Sequence, residues 1–192
     1  MIRSKNDLKK YLKQDQIALN CKSRKRPRLG RDEIWKFEIL LRKYEYYENT
    51  KKNIISKILY IITKYRFHKM SVRLGFSIPT NVFEEGLSIA HYGTIVVNEN
   101  ARIGKNCRIH ENVTIGSTGG DSKAPQIGDN VFIASGARVI GDITIGNDIA
   151  IGANSFVNKD FEQNHITVAG VPARKISDNG SENFIKTIKK EI

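Results

Sequence analysis

The 192-residue chain holds only two cysteines, Cys21 and Cys107, far apart and outside any C-x-x-C spacing. That scarcity excludes a disulfide framework and a cysteine-rich metal or redox centre. Long apolar runs are missing too. The longest, Ile54 to Ile62, is broken by Ser56 and Lys57 and is too short to span a bilayer, and the opening MIRSKNDLKKYLKQ has no apolar signal region. The expectation is a cytoplasmic protein, with 40% apolar residues to supply a core without staples.

Acidic residues are scarce in the front of the chain. Residues 1–78 carry 21 Lys/Arg against 7 Asp/Glu, a net of +14, whereas residues 79–192 carry 11 against 13, a net of −2. The overall charge of +12 is therefore local. A basic segment raises nucleic acid as a partner. No recognition motif accompanies it, and Tyr44, Tyr46, Tyr47, Tyr60 and Tyr65 fall at spacings that serve helix packing, so nucleic acid is not expected. Lys51, Lys52, Lys57, Lys64, Arg66 and Lys69 flank Ile54 to Ile62. Two readings stand for this stretch: peripheral contact with an anionic membrane, and packing between subunits.

Residues 1–76 read as helical. Trp35, Phe37, Ile39, Leu40 and Leu41 form one apolar run, and Ile54, Ile55, Ile58, Leu59, Ile61 and Ile62 form another at helical spacing. The stretch Cys21 to Gly30, with Pro27 and Gly30, reads as a connection, and Asp32 and Glu33 suit a helix first turn. About three helices are expected.

From Ile78 onward a period of six takes over. Val97, Ile103, Ile109, Ile115, Ile127, Ile133, Val139, Ile145, Ile151 and Val157 share one phase. Four places later stand Ala101, Cys107, Val113, Gly119, Val131, Ala137, Ile143, Ile149, Ser155 and Phe161, a second inward set. Gly104, Gly116, Gly128, Gly146 and Gly152 follow the first aliphatic, where a turn between short strands tolerates no bulk. The pattern suits a triangular coil in which three hexads make a turn of eighteen residues. An earlier set, Phe83, Ile89 and Ile95, runs two residues out of phase, so a two-residue insertion falls just after His91. The polar run STGGDSKAPQ (117–126) reads as a loop ejected from the coil. The tail from Ser177 is polar, with a short helix expected at Glu182 to Ile188 and no recognisable chemistry.

The fold class expected is mainly β, a left-handed parallel β-helix preceded by a small α-helical domain. The divisions are 1–76, basic and helical; 77–176, the coil with its loop 117–126; and 177–192, the tail.

The stretch GLSIAHYGTIVVNENARIGKNCRIHENVTIG, the loop, IGANSFVNKD and AGVPARKI resemble the serine acetyltransferase branch of the hexapeptide-repeat acyltransferases over about residues 75–176. IWKFEILLRKYEYYEN and LGFSIPTNVFEEGL resemble its polysaccharide-biosynthesis subgroup. The resemblance implies a homotrimer, acetyl-CoA as co-substrate in the groove between coils, and no metal. It aligns His91 with the family's catalytic histidine. An alcohol loses its proton only as bonding develops, and imidazole is the side chain suited to take it. Glu111 lies one coil later, within reach of His91 as an orienting group or as an ordinary outward carboxylate. His110 stands near the same edge, as an acceptor-binding residue or surface decoration. Ser135 and Ala153 are eighteen residues apart and would line one edge of the donor site. Asn158, Lys159 and Arg174 match positions that contact CoA, where cations suit phosphates. His68 and His165 match no catalytic position. No Ser, Cys or Lys stands in a nucleophile–base arrangement, so direct transfer is expected.

Serine-specific relatives carry an Asp before the histidine where this chain has Ala90, an Asp fifteen residues upstream where it has Phe76, and an Arg-His pair where it has Lys123-Ala124. Those absences favour the hydroxyl of a sugar or glycan precursor as acceptor. Serine O-acetylation is the alternative enzyme reading, and a trimeric scaffold that binds membrane through its basic helices is the non-catalytic one.

Overall fold

A computed structural model describes residues 1–120 and 122–185. Three helices come first: α1 (Lys5–Ala18), α2 (Glu33–Thr50) and α3 (Ile54–Leu74). Ser4 opens α1 with a capping box, its hydroxyl accepting from the Asp7 amide while Asp7 reaches back. Asp32 precedes α2 without capping it; Arg24 and Arg28 hold its carboxylate instead. Asn53 and Ser56 make the same reciprocal cap on α3, which stops at Gly75 in the left-handed region.

The remainder is a coil with three parallel walls. One contains β1 (Phe76–Ser77), β3 (Ile95–Val97), β6 (Thr114–Gly116), β9 (Arg138–Ile140) and β12 (Phe156–Val157). A second contains β4 (Arg102–Ile103), β7 (Gln126–Ile127) and β10 (Thr144–Ile145). The third contains β2 (Ser88–Ile89), β5 (Arg108–Ile109), β8 (Phe132–Ile133), β11 (Ala150–Ile151), β13 (Thr167–Gly170) and β14 (Ala173–Ser177), of which only the last pair is antiparallel. With three helices ahead of short parallel strands, the fold mixes α with parallel β and is not mainly β.

Registers measure the turns. Ile133 pairs with Ile151 and Val97 with Ile115, the expected eighteen residues. Ile89 pairs with Ile109, twenty apart, so the two-residue insertion after His91 is real. Ile109 pairs with Ile133, twenty-four apart, because the Ser117–Gln126 region adds six residues. Both inward sets are buried, with two exceptions: Gly119 is exposed in the loop and Phe161 is half-buried. The corner glycines are there for lack of room. A Cβ on Gly104 would stand 2.7 Å from the Gly128 carbonyl, and one on Gly128 would stand 2.8 Å from that of Gly146. At the next corner Asn106, Asn130 and Asp148 all take positive φ, and the Asn106 amide donates to Asn130, which donates to Asp148.

The open end of the coil is closed by charge. Backbone amides at 81–89 have no coil beneath them, and an unpaired strand edge costs stability. Asp15 accepts from Gly86 and Leu87 at 2.8 and 3.0 Å, Glu45 from Asn81 at 2.9 Å, and Glu38 from Ile89 at 3.0 Å. Arg42, wholly buried, binds Asp15 at 2.7 Å and Glu45 at 3.0 Å, and donates to the carbonyls of Phe83 and Glu84. Burial, with the charge of Asp15 behind it, keeps the Glu38 carboxyl protonated far above the usual range. Phe37, Leu41 and Phe67 join the same hydrophobic core as the coil.

Two surfaces complete the picture. On α3 the apolar residues Ile54, Ile55, Ile58, Ile61, Ile62 and Tyr65 face outward. Among the described residues no helix is long and apolar enough to cross a membrane. The tail is not idle: the Ser181 hydroxyl donates to the Asn130 carbonyl, Phe184 stacks on Phe132 at 4.5 Å, and Ile185 is buried. Residues 182–184 form a turn, and the rest of the helix expected to Ile188 lies outside the described residues.

Removing Arg42 would strand two buried carboxylates. Arg42→Ala should cost about 3–5 kcal/mol in urea denaturation, whereas Glu38→Gln, which keeps shape and neutrality, should cost under about 1 kcal/mol. Equal losses would contradict this view of the cap.

Candidate active site

Strand pairing decides which side chains meet. The amide of Ala90 donates to the carbonyl of Ile109, and that of His110 donates to Ile133, so the corner after β2 stacks on the corner after β5 and then on the corner after β8. His91, Glu111 and Ser135 thereby occupy successive levels of one corner. Gly93 makes the stacking close, since a Cβ there would lie 3.0 Å from Cβ of Glu111.

One ligating atom from each of His91, His110 and Glu111 lies within 4.8 Å of the others. His91 is exposed; His110 and Glu111 are half-buried. The rings of His91 and His110 meet edge to face at 5.2 Å, and His110 meets Phe132 likewise at 5.0 Å. Glu111 accepts a hydrogen bond from the Ser135 hydroxyl, which, with its own amide and the two imidazoles, lowers the carboxyl below its usual range. The Ser135 oxygen lies 3.4 Å from Nδ1 of His110. With the serine proton given to Glu111, His110 donates from Nδ1, and its Nε2 keeps a lone pair. That Nε2 and Oε2 of Glu111 are both buried without a partner, an arrangement common at sites that await a ligand. Burial first, then the charges of Arg108 and His91, lower the proton affinity of His110 against the opposing pull of Glu111. Two imidazoles and a carboxylate are also a donor set that zinc accepts, although the sequence leads us to expect none.

The remaining expected residues fall in three places. Ser135 stands in the histidine cluster, its side chain committed to Glu111 and His110 and its carbonyl to the Asn154 amide at 2.9 Å. Ala153 is exposed one level above it, and Arg174, opposite Ala169 on the terminal hairpin, is exposed nearby on the same wall. Asn158 and Lys159 lie past β12 at the following corner, with Lys159 over Phe161 at 5.4 Å. His165 is exposed, 3.7 Å from Glu182, and His68 is exposed on α3. Cys107 points into the coil, and burial pushes its thiol up to about 12, so it is no nucleophile.

Sequence reasoning passed over Arg108, Phe132 and Phe184. Arg108 stands two residues before His110 on the same outward face of β5, a period-two signal that was available. Its guanidinium is half-buried, burial lowers its proton affinity, and Nη1 donates to Ser88 Oγ at 3.0 Å. Among the described residues no carboxylate pairs with it.

Because the fold depresses the proton affinity of His110, its neutral form contributes stability above the unfolded-state value of about 6.5, and that contribution is lost as pH falls through the lower folded value. Urea midpoints should fall between pH 7.5 and 5.5, and His110→Asn should flatten that slope. An unchanged slope would place the titration elsewhere.

A family model described as bacterial transferase hexapeptide (six repeats) matches residues 124–159. Serine acetyltransferase from Staphylococcus xylosus is 32% identical over 180 residues, 93% of this chain and 78% of that protein. The enzyme of the same name from Staphylococcus aureus strain Mu50 is 31% identical over the same length, 79% of that protein. A crystal structure of serine acetyltransferase from Brucella abortus in complex with coenzyme A superposes with a TM-score of 0.68 at 26% identity, covering 92% of this chain and 70% of that one. The Neisseria gonorrhoeae serine acetyltransferase, at 24% identity, superposes with a TM-score of 0.71 over 98% of this chain and 73% of that one and shares the fold.

These comparisons overturn the sugar or glycan acceptor and do not support the polysaccharide-biosynthesis subgroup. The front segment read as belonging to that subgroup lies within the stretch aligned to serine acetyltransferases. The expectation came from the residues at three positions, yet Glu111, already a candidate there, and Arg108, which was passed over, bring both signs of charge to the cluster. Phe76 is buried 5.0 Å from Phe37 in the shared core, and Lys123 pairs with Asp142 at 2.7 Å. With a 32% identical relative spanned over 78% of its length, the chain belongs to the serine acetyltransferase family of hexapeptide-repeat acyltransferases.

Proposed function

We propose that the protein transfers acetyl from acetyl-CoA to the hydroxyl of L-serine, with His91 as general base. The observation that carries this reading is the single exposed corner where His91 meets His110 and Glu111 within 4.8 Å, in a chain 32% identical to a serine acetyltransferase. His91 takes the hydroxyl proton as the oxygen attacks the thioester carbonyl. The tetrahedral intermediate collapses, the C–S bond breaks, and the thiolate of CoA recovers the proton from the imidazolium. Glu111, anionic under its Ser135 bond, stabilises that imidazolium. With Cys107 buried inside the coil, no acyl-enzyme is invoked.

The coil in this reading is left-handed, as in its family, and three copies assemble so that acetyl-CoA lies in a groove between neighbours. Ala153 and the backbone at Ser135 line the pantetheine arm, while Asn158, Lys159 and Arg174 meet the phosphates. The chain then divides into a helical cap over 1–76, the chemical coil over 77–176 and a covering tail from 177. The outward aliphatic residues of α3 are taken as a surface buried between subunits, since so many exposed isoleucines on one helix gain by burial. Peripheral membrane contact is the second reading of the same face, favoured by the flanking lysines.

His91→Ala should keep CoA affinity by calorimetry and lower kcat with L-serine by about 10²-fold or more. Turnover close to wild type would remove His91 from the mechanism.

A further inference from the structure

We propose that Arg108 holds the carboxylate of the amino-acid acceptor, setting the enzyme's preference for a free amino acid over a neutral alcohol. The proposal rests on the serine reading above and goes further, assigning a binding residue to a position that carries no charge-pairing role in the fold.

A half-buried guanidinium without an anion is unfavourable, and folds that keep one usually give it a carboxylate. Arg42 in this protein shows the ordinary solution, with Asp15 at 2.7 Å and Glu45 at 3.0 Å. Arg108 has one neutral contact, Nη1 to Ser88 Oγ, which orients the head group and leaves Nε and Nη2 without a bond among the described residues. Nothing structural accounts for the charge, so its partner is sought outside the chain.

Position supplies the rest. Arg108 and His110 leave the same face of β5, and across that wall Ser88, Arg108 and Phe132 stand in register. Phe132, stacked with Phe184, gives the face an apolar side, which strengthens an ionic contact beside it. His110 fills the interval between Arg108 and His91, its ring 5.2 Å from that of His91. In serine the hydroxyl and the carboxyl carbon are three bonds apart, so an acceptor whose hydroxyl meets His91 points its carboxylate along this face. A guanidinium fork binds a carboxylate through two parallel N–H donors, a geometry that lysine cannot copy.

The test compares L-serine with L-serinamide, which keeps the hydroxyl and ammonium and replaces the carboxylate with a neutral amide. Wild type should favour L-serine. Arg108→Gln should raise KM for L-serine by at least ~30-fold while kcat with L-serine and KM for serinamide each change by no more than a few-fold. Arg108→Lys should recover the preference only in part. Equal losses with both acceptors, or none, would overturn the assignment. Calorimetry with CoA present separates this failure from failure of the serine reading. L-serine binding that Arg108→Gln abolishes supports the subsite even without turnover, in which case only the transfer reading falls. Equal wild-type affinity for L-serine and L-serinamide overturns the subsite whatever the turnover.

Discussion

The buried guanidinium of Arg42 is the contact on which the rest of this molecule depends. A parallel coil must begin somewhere, and its first turn presents backbone amides with no strand below. Here Asp15 and Glu45 supply carboxylates to those amides, Arg42 neutralises both while bonding two carbonyls of the same turn, and the uncharged Glu38 carboxyl accepts from Ile89. Neither half could bury its polar groups alone. The cap reaches Ile89, two residues before His91, so the mechanical ground of the histidine is the helical segment.

From that anchored turn the register carries the site. A turn of twenty residues, in place of eighteen, between β2 and β5 gives the His91 corner extra chain while keeping Glu111 directly above it. A serine one level higher bonds Glu111 and approaches His110, and a phenylalanine wall shielded by the tail closes the side. The cluster draws on three levels of one wall and corner, with no long loop to order. Two buried polar atoms without partners remain at its centre, on His110 and Glu111, where a substrate would complete them.

Much of this was legible because hexad periodicity is a simple signal. The inward aliphatics, the slip after His91 and the ejected loop could each be placed to within a residue or two, and caps and breakers marked three helices. What periodicity does not encode was misjudged. No spacing in the sequence links Asp15 to Arg42 and Glu45, so the three gave no hint of burial together. The spacing of Ser135 to Ala153 is visible in sequence, whereas its side-chain contact with Glu111 was not, because it depends on the six-residue loop between them. The acceptor was misread for a related reason. Missing charges at Ala90, Phe76 and Ala124 were taken as a neutral site without weighing Arg108, whose charge acts on His110.

In the proposed reading Glu111 and Ser135 set the electrostatics, His91 moves the proton and the adjoining wall receives the acceptor. Its most direct test is a crystal structure of the protein with CoA and L-serine, a pair that cannot react. The account predicts the serine hydroxyl within about 3 Å of the His91 imidazole, between that ring and the thiol of CoA. Serine bound with its hydroxyl away from His91, while CoA occupies its groove, would contradict it.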